Sequence, residues 1–203
     1  MLYRRGFFYI MTISLSKGQK INLSKEFGGL DQVHIGLGWD TQKYDGAQDF
    51  DLDTSAFLLD ANGRANTAQD FVFYGNATGG NGSVNHSGDN RTGEGASDDE
   101  VIDVILSRVP QSTERIAFTV TIHEAELRNQ NFGQVSNAYI RIMDKNSGEE
   151  LIRYDLEEDF SVETALVVAE LYRKDGQWRF GAVGAGYSGG LNALATSFGL
   201  DVD

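Results

Sequence analysis

Three aspartates, Asp49, Asp51 and Asp53, alternate with Phe50 and Leu52. Further on, Asn85 to Glu100 reads NHSGDNRTGEGASDDE, with five acids against a single arginine. In an extended strand residues two apart share a face, so the three aspartates stand together while Phe50 and Leu52 turn to a core. Like charges about 7 Å apart repel unless something answers them, and a glycine-laced segment loses much freedom on ordering. A hard dication meets both difficulties. Ca2+ takes roughly 6–8 oxygens from carboxylates, Asn side chains, carbonyls and water. The candidate ligands are the strand aspartates Asp49, Asp51 and Asp53, with Asp89, Asn90, Asp98, Asp99 and Glu100 on the loop. An all-oxygen set suits Ca2+ rather than copper or zinc, and Mg2+, which keeps its waters, fits less well. Two ions are expected. Two plainer readings stay open beside this one: the acids are simply solvated, or the DFDLD aspartates take turn and cap roles at a strand entrance.

The charge balance narrows the function classes. From Asp40 to Glu100 there are 12 acids and 3 bases, a net −9 that supplies most of the chain's formal −13. Nucleic-acid binding needs clustered Lys and Arg and is excluded as an expectation. An anionic membrane surface is disfavoured, whereas a cationic ligand is favoured. The absence of cysteine removes disulfides, zinc–thiolate sites and thiol chemistry, and points to the cytoplasm. His34, His86 and His123 lie too far apart in sequence for a zinc-type motif; His86 is read as a hydrogen-bonding loop residue. The DKNSG run at Asp144 imitates the start of an EF-hand, but Gly148 sits where a ligand belongs, so it is read as a hairpin turn. GAVGAGYSGGL resembles a dinucleotide glycine fingerprint only faintly, because it follows a hairpin and opens no βαβ unit. With no thiol and no cofactor motif, the chain is not expected to be an enzyme; chemistry on an oxyanion is the weakest alternative, and a structural interaction module with incidental metal the stronger one.

The elements that must hold these acids read at period two. HIGLGW sets Ile35 and Leu37 against Gly36 and Gly38; VIDVILSRV aligns Ile102, Val104 and Leu106; RIAFTVTI aligns Ile116, Phe118, Val120 and Ile122. Asn62-Gly63 and Asp175-Gly176 are hairpin signals. HEAELRNQNFGQV predicts a short helix and GGLNALATSFGL a helical turn or two at the C-terminus. The fold expected is all-β: a β-sandwich of two antiparallel sheets, with one or two short helices and a long acidic Gly-rich loop between Tyr74 and Val101. No apolar run approaches the roughly 18 residues of a membrane-spanning helix, so no direct membrane insertion is expected. Residues 1–10, MLYRRGFFYI, lack a signal-peptide core and are read as an extension outside a single domain at 11–203.

Taken in order, LSKG, GLGWD, DFDLDTSAFLL, DFVFY, HSGDNRTGEG with DDE, NQNFGQVSNAYIRI, RYDLEEDFS, ETA and GQWRFGAVGAGYSGGL resemble the TerD family of bacterial tellurium-resistance and stress-response proteins. The resemblance runs from Met11 to about Val202 and is TerD- or TerE-like. It implies a β-sandwich that binds Ca2+ through acidic loops, with the ligand motifs falling on Asp51 and Asp53, on Gly88-Asp89-Asn90 and on Asp98-Asp99-Glu100. EGASDDE departs from the family pattern, with Ala96 and Ser97 standing where another acid or a glycine is common. The resemblance further implies a role in resistance to tellurite and other stresses. The partners it implies are an integral-membrane protein at the inner membrane face and other Ter proteins.

Overall fold

The alternation at Gln32–Thr41 shows how the sandwich is built. Val33, Ile35, Leu37 and Trp39 are buried between two sheets, while Gly36 and Gly38 face outward beneath the side chains of Asp98 and Tyr139. The structure is a computed structural model that describes residues 11–41, 50–87, 98–156 and 160–201. In chain order its elements begin with β1 (Ile13–Leu15), β2 (Lys20–Asn22), α1 (Leu23–Glu26), β3 (Gln32–Thr41) and β4 (Leu52–Leu59). Next come β5 (Phe71–Val72), β6 (Thr78–Gly79), β7 (Val84–His86), β8 (Glu100–Ile105) and β9 (Arg115–Ile122). The chain continues through α2 (Ala125–Arg128), β10 (Val135–Asp144), β11 (Glu150–Asp155), β12 (Ala165–Lys174), β13 (Gln177–Tyr187) and α3 (Gly190–Ser197).

Seven strands form one sheet in the order β1-β11-β10-β3-β8-β7-β6, and six form the other in the order β2-β13-β12-β9-β4-β5. The all-β sandwich expected from the sequence is therefore present. One edge departs from antiparallel pairing: β1 runs parallel to β11. The chain leaves β1 for β2 in the opposite sheet, so no hairpin fixes the direction of β1. The main core holds Leu52, Ala56 and Leu58 of β4 and Ile116, Phe118 and Val120 of β9 against Ile35, Ile102 and Ile140 of the other sheet.

A second apolar cluster lies on the outer face of the six-stranded sheet. Phe57, Leu59, Ala117, Ala165 and Val167 pack there against Leu194 and Ala195 of α3, and Phe198 meets Phe57 at a tilt of 42°, 4.9 Å between ring centroids. Seven of the eight residues of β9 are consequently buried, where the sequence showed only one apolar face. Strands covered on both sides carry small and apolar residues at every position.

Turns also depart from the sequence in instructive ways. Asp175 and Gly176, with φ of +56° and +71°, make the two-residue hairpin their pairing predicts. Asn62-Gly63 instead makes one tight turn, held by the Asp60 carboxylate accepting from the Asn62 and Arg64 backbone N–H groups. The strands it was expected to join pair only at Ala56–Val72 and Phe57–Phe71, so the connection is longer. The segment after Tyr74 is not one structureless loop either: β6 and β7 form a small hairpin whose second strand adds to β8.

Candidate functional site

Asp98, Asp99 and Glu100 are consecutive in sequence, yet their carboxylates go to three different places. Glu100 opens β8, whose alternation turns it inward with Ile102 and Val104. It is 2% exposed and accepts a hydrogen bond of 2.6 Å from the backbone N–H of Thr54 on the opposite sheet. β5 reaches only Ala56 and Phe57 of β4, so Thr54 lies beyond its span and the Glu100 carboxylate serves the donor there. The buried His86 completes the corner. Its Nε2 lies 3.1 Å from the Thr54 carbonyl and 3.5 Å from Glu100. His86 does hydrogen-bond as the sequence suggested, though from strand β7 rather than from a loop.

Asp98 goes the other way, onto the outer face of the seven-stranded sheet. It accepts from Arg141 Nε at 2.8 Å and Tyr139 Oη at 2.9 Å, with His34 Nε2 at 3.7 Å. Gly36 makes room for it, since a Cβ there would fall on the Asp98 carboxylate. Burial by itself pushes the Asp98 carboxyl up, but hydrogen bonds from His34, Arg141 and Tyr139 outweigh it and hold it below the usual carboxylate range. The same burial, with Asp98 alongside, pushes the Tyr139 hydroxyl up to about 12.

Asp99 lies between these two fates. Its backbone N–H donates to Leu37 O at 2.8 Å, and its carboxylate accepts from the Trp39 N–H at 2.9 Å. Its pKa is raised: burial contributes most, the Trp39 bond opposes it, and the charges of Asp98, Asp40 and Glu100 push it further up. Asp40 itself is met by the amide of Asn137 at 2.6 Å. Asp99 is thus set among like charges, with one neutral donor among the described residues.

The aspartates preceding and opening β4 follow the alternation read from the sequence. Phe50 and Leu52 are buried at 4% and 1% exposure, while Asp51 and Asp53 are part-exposed. His123 links the pair: its backbone N–H donates to the Asp51 carbonyl at 2.8 Å, and its Nδ1 lies 3.9 Å from the Asp53 carboxylate. Among the described residues the Asp51 carboxylate has no hydrogen-bond or ion-pair partner. Asp49, Asp89, Asn90 and Arg91 fall outside the described residues. Among the described residues no three His, Asp or Glu side chains gather closely enough to hold a metal ion by themselves. A Ca2+ site on Asp51, Asp53 or Asp99 therefore requires oxygens beyond this set, from the Asp89–Asn90 stretch, from backbone or from water.

Sequence reasoning missed the pairings that absorb acids. Arg141 sits in NAYIRI and meets Asp98 from 43 positions away. No local pattern signals such a contact. Glu170, set among apolar residues in VVAELY, meets Arg115 at 3.1 Å.

A two-sheet all-β domain, with an acid-rich corner where backbone N–H groups meet Asp99 and Glu100, defines the class of protein. The chain belongs to the TerD family: the TerD domain matches residues 11–198. It is 60% identical over 192 residues to general stress protein 16U of Bacillus subtilis (strain 168), covering 95% of this chain and all of that protein. To the tellurium resistance protein TerD of Serratia marcescens it is 51% identical over 191 residues, 94% of this chain and 99% of that one. The crystal structure of a homologue of the telluride resistance protein from Streptomyces coelicolor A3(2) shares the fold with a TM-score of 0.68 at 27% identity. That match covers 86% of this chain and all of the other. Among the described residues no helix is long and apolar enough to cross a membrane.

Proposed function

We propose that this protein is a non-enzymatic, Ca2+-binding stress-response module. In this reading Asp51, Asp53 and Asp99, with Asp89 and Asn90, hold calcium and so order the acidic corner for a membrane-associated partner in the cytoplasm. Asp98 and Glu100 serve as anchors that fix the two ends of the corner. The observation that carries the reading is Asp99: it stands among Asp98, Asp40 and Glu100, and among the described residues its carboxylate is met by the Trp39 N–H at 2.9 Å and by no base. A dication there relieves repulsion that the protein alone leaves standing. Family membership, alongside relatives named for tellurium resistance and general stress, supports the stress role.

The test is a melting curve and a calorimetric titration, in chelator and in Ca2+. Binding only to the folded state adds about 2.7 kcal/mol at a hundredfold excess over Kd, a rise of roughly 5–10 °C for a domain of this size. Two ions per chain are expected. Flat heats at millimolar Ca2+ would remove the proposal. Purified protein with tellurite and NADPH is expected to leave the absorbance unchanged, and turnover there would make it an enzyme.

A further inference from the structure

On the outer face of the six-stranded sheet, beside α3, lies a cleft of about 440 Å³. That size falls within the range of small-ligand pockets, roughly 300–1,000 Å³. Its floor is polar, with Asp53 paired across to Thr121 and Ser55 held by the Thr119 hydroxyl at 2.7 Å. One wall is aromatic. Phe71 and Phe73 stack at 4.5 Å between centroids, and Tyr74 meets Phe73 edge-on at 5.2 Å. The other wall is the α2 turn, which carries Glu124, Glu126 and Leu127. Left-handed residues at both ends, Glu124 and Asn129, turn the chain sharply into and out of it. Gly189 and Gly190, at the entry to α3, contribute backbone to the lining.

Two independent features point to the same occupant. Among the described residues only four large apolar side chains are exposed, and two of them, Tyr74 at 52% and Leu127 at 80%, line this cleft. Soluble proteins that leave apolar groups around a concave site usually cover them with a ligand. Carboxylates dominate the charge around them. Asp53, Glu124 and Glu126 contribute three, His123 stands 3.9 Å from the first and 4.0 Å from the second, and no Lys or Arg is among the described lining residues; Arg128 meets Glu124 at 3.3 Å without lining the cleft. A π-face beside carboxylates favours an ammonium group on an apolar body, since the ring quadrupole and the acids attract the same end. An anion meets repulsion here, and a neutral apolar molecule gains nothing from the acids.

We propose that this cleft binds a small organic cation: an ammonium group carried on an aromatic or alkyl body. The head sits toward Asp53 and Glu124, and the body lies between Phe73, Tyr74 and Leu127. Asp53 is shared with the proposed calcium corner, but the cleft requires no metal.

The test is an NMR titration of the full chain in chelator, with phenethylammonium as the probe and phenylacetate and benzyl alcohol as its anionic and neutral counterparts. Saturable shifts are expected at Tyr74, at His123–Leu127 and at Gly189–Leu191, with a Kd of about 1 mM. The two controls should bind at least about tenfold more weakly. Glu124→Gln combined with Glu126→Gln should weaken the probe about fivefold. Leu127→Ser should weaken it as well, and both variants replace exposed side chains that the fold does not need. Phenylacetate binding as tightly as the amine, scattered shifts, or a double variant with unchanged affinity would each overturn the proposal. Because the titration is metal-free, its outcome is separate from that of the calcium titration.

Discussion

The outer face of the seven-stranded sheet and the corner around Asp51, Asp53 and Asp99 are both rich in carboxylates, but among the described residues Lys and Arg meet the acids only on the first. On that face Arg141 answers Asp98 at 2.8 Å and Glu150 at 2.9 Å, Lys145 answers Asp103 at 2.6 Å, and Arg153 answers Asp155 at 2.8 Å. Strand register arranges this. Arg141 stands opposite Gly36 and Arg153, and His34 stands opposite Asp103. The two facing arginines avoid conflict because Arg153 lies over the Tyr139 ring at 3.9 Å. At the corner the acids meet, among the described residues, backbone N–H groups, the amide of Asn137 and His123. Acid content alone therefore does not set how carboxylates are satisfied; the supply of bases on adjacent strands does.

The sharpest way to break this comparison is Glu100, which belongs to the corner in sequence but acts as a structural tie. Glu100→Ala strands the buried Thr54 N–H and opens a void between the sheets. We expect a loss of about 3 kcal/mol in urea unfolding. Glu100→Gln keeps the acceptor and should cost about 1 kcal/mol, with Ca2+ affinity within about twofold of the native protein. A collapse of Ca2+ binding in Glu100→Gln would instead place this carboxylate on the metal.

Arg141→Ala tests the neutralised face and should cost about 2 kcal/mol at pH 7, since Asp98 is left nearly buried without its main base. The sign with pH follows from the depressed Asp98 carboxyl. That stability is fully present above the ordinary carboxylate pKa of about 4 and is lost as pH falls through the lower folded value. The variant should therefore lose less than the native protein between pH 4 and more acid conditions. Equal acid limbs in both would mean that His34 and Tyr139, not Arg141, hold the charge.

The contrast between the two regions also explains what could be read in advance. Alternation in DFDLD put Phe50 and Leu52 inside, because a two-residue period is a local property of the chain. Asp175-Gly176 was legible for the same reason: both residues must adopt positive φ, and their types allow it. The double burial of β9 was not legible, since its outer cover arrives with α3, about 70 residues later. Nor was the parting of Asp98, Asp99 and Glu100. Three acids in a row read as one ligand run, whereas the entry into β8 sends Glu100 into the core and Arg141, distant in sequence, draws Asp98 out. The β6–β7 hairpin hid in a glycine-rich stretch because strands of two and three residues carry too little pattern to see.

The smallest expected effect separates stability from function most cleanly. Asp99→Asn keeps an acceptor for the Trp39 N–H and removes one charge from the group that includes Asp98, Asp40 and Glu100. The native Asp99 carboxyl is raised, so its charged form opposes folding above that raised pKa, and the penalty fades as pH falls through it. In chelator at pH 7 the variant should be more stable by about 0.5 kcal/mol. The gain should shrink toward zero as the solution is acidified below the ordinary carboxylate range. In Ca2+ the order should reverse, because the native protein then gains binding energy that the variant has given up. A variant less stable than the native protein in chelator would show that Asp99 is already satisfied without metal. The corner would then be no different in kind from the face that Arg141 neutralises.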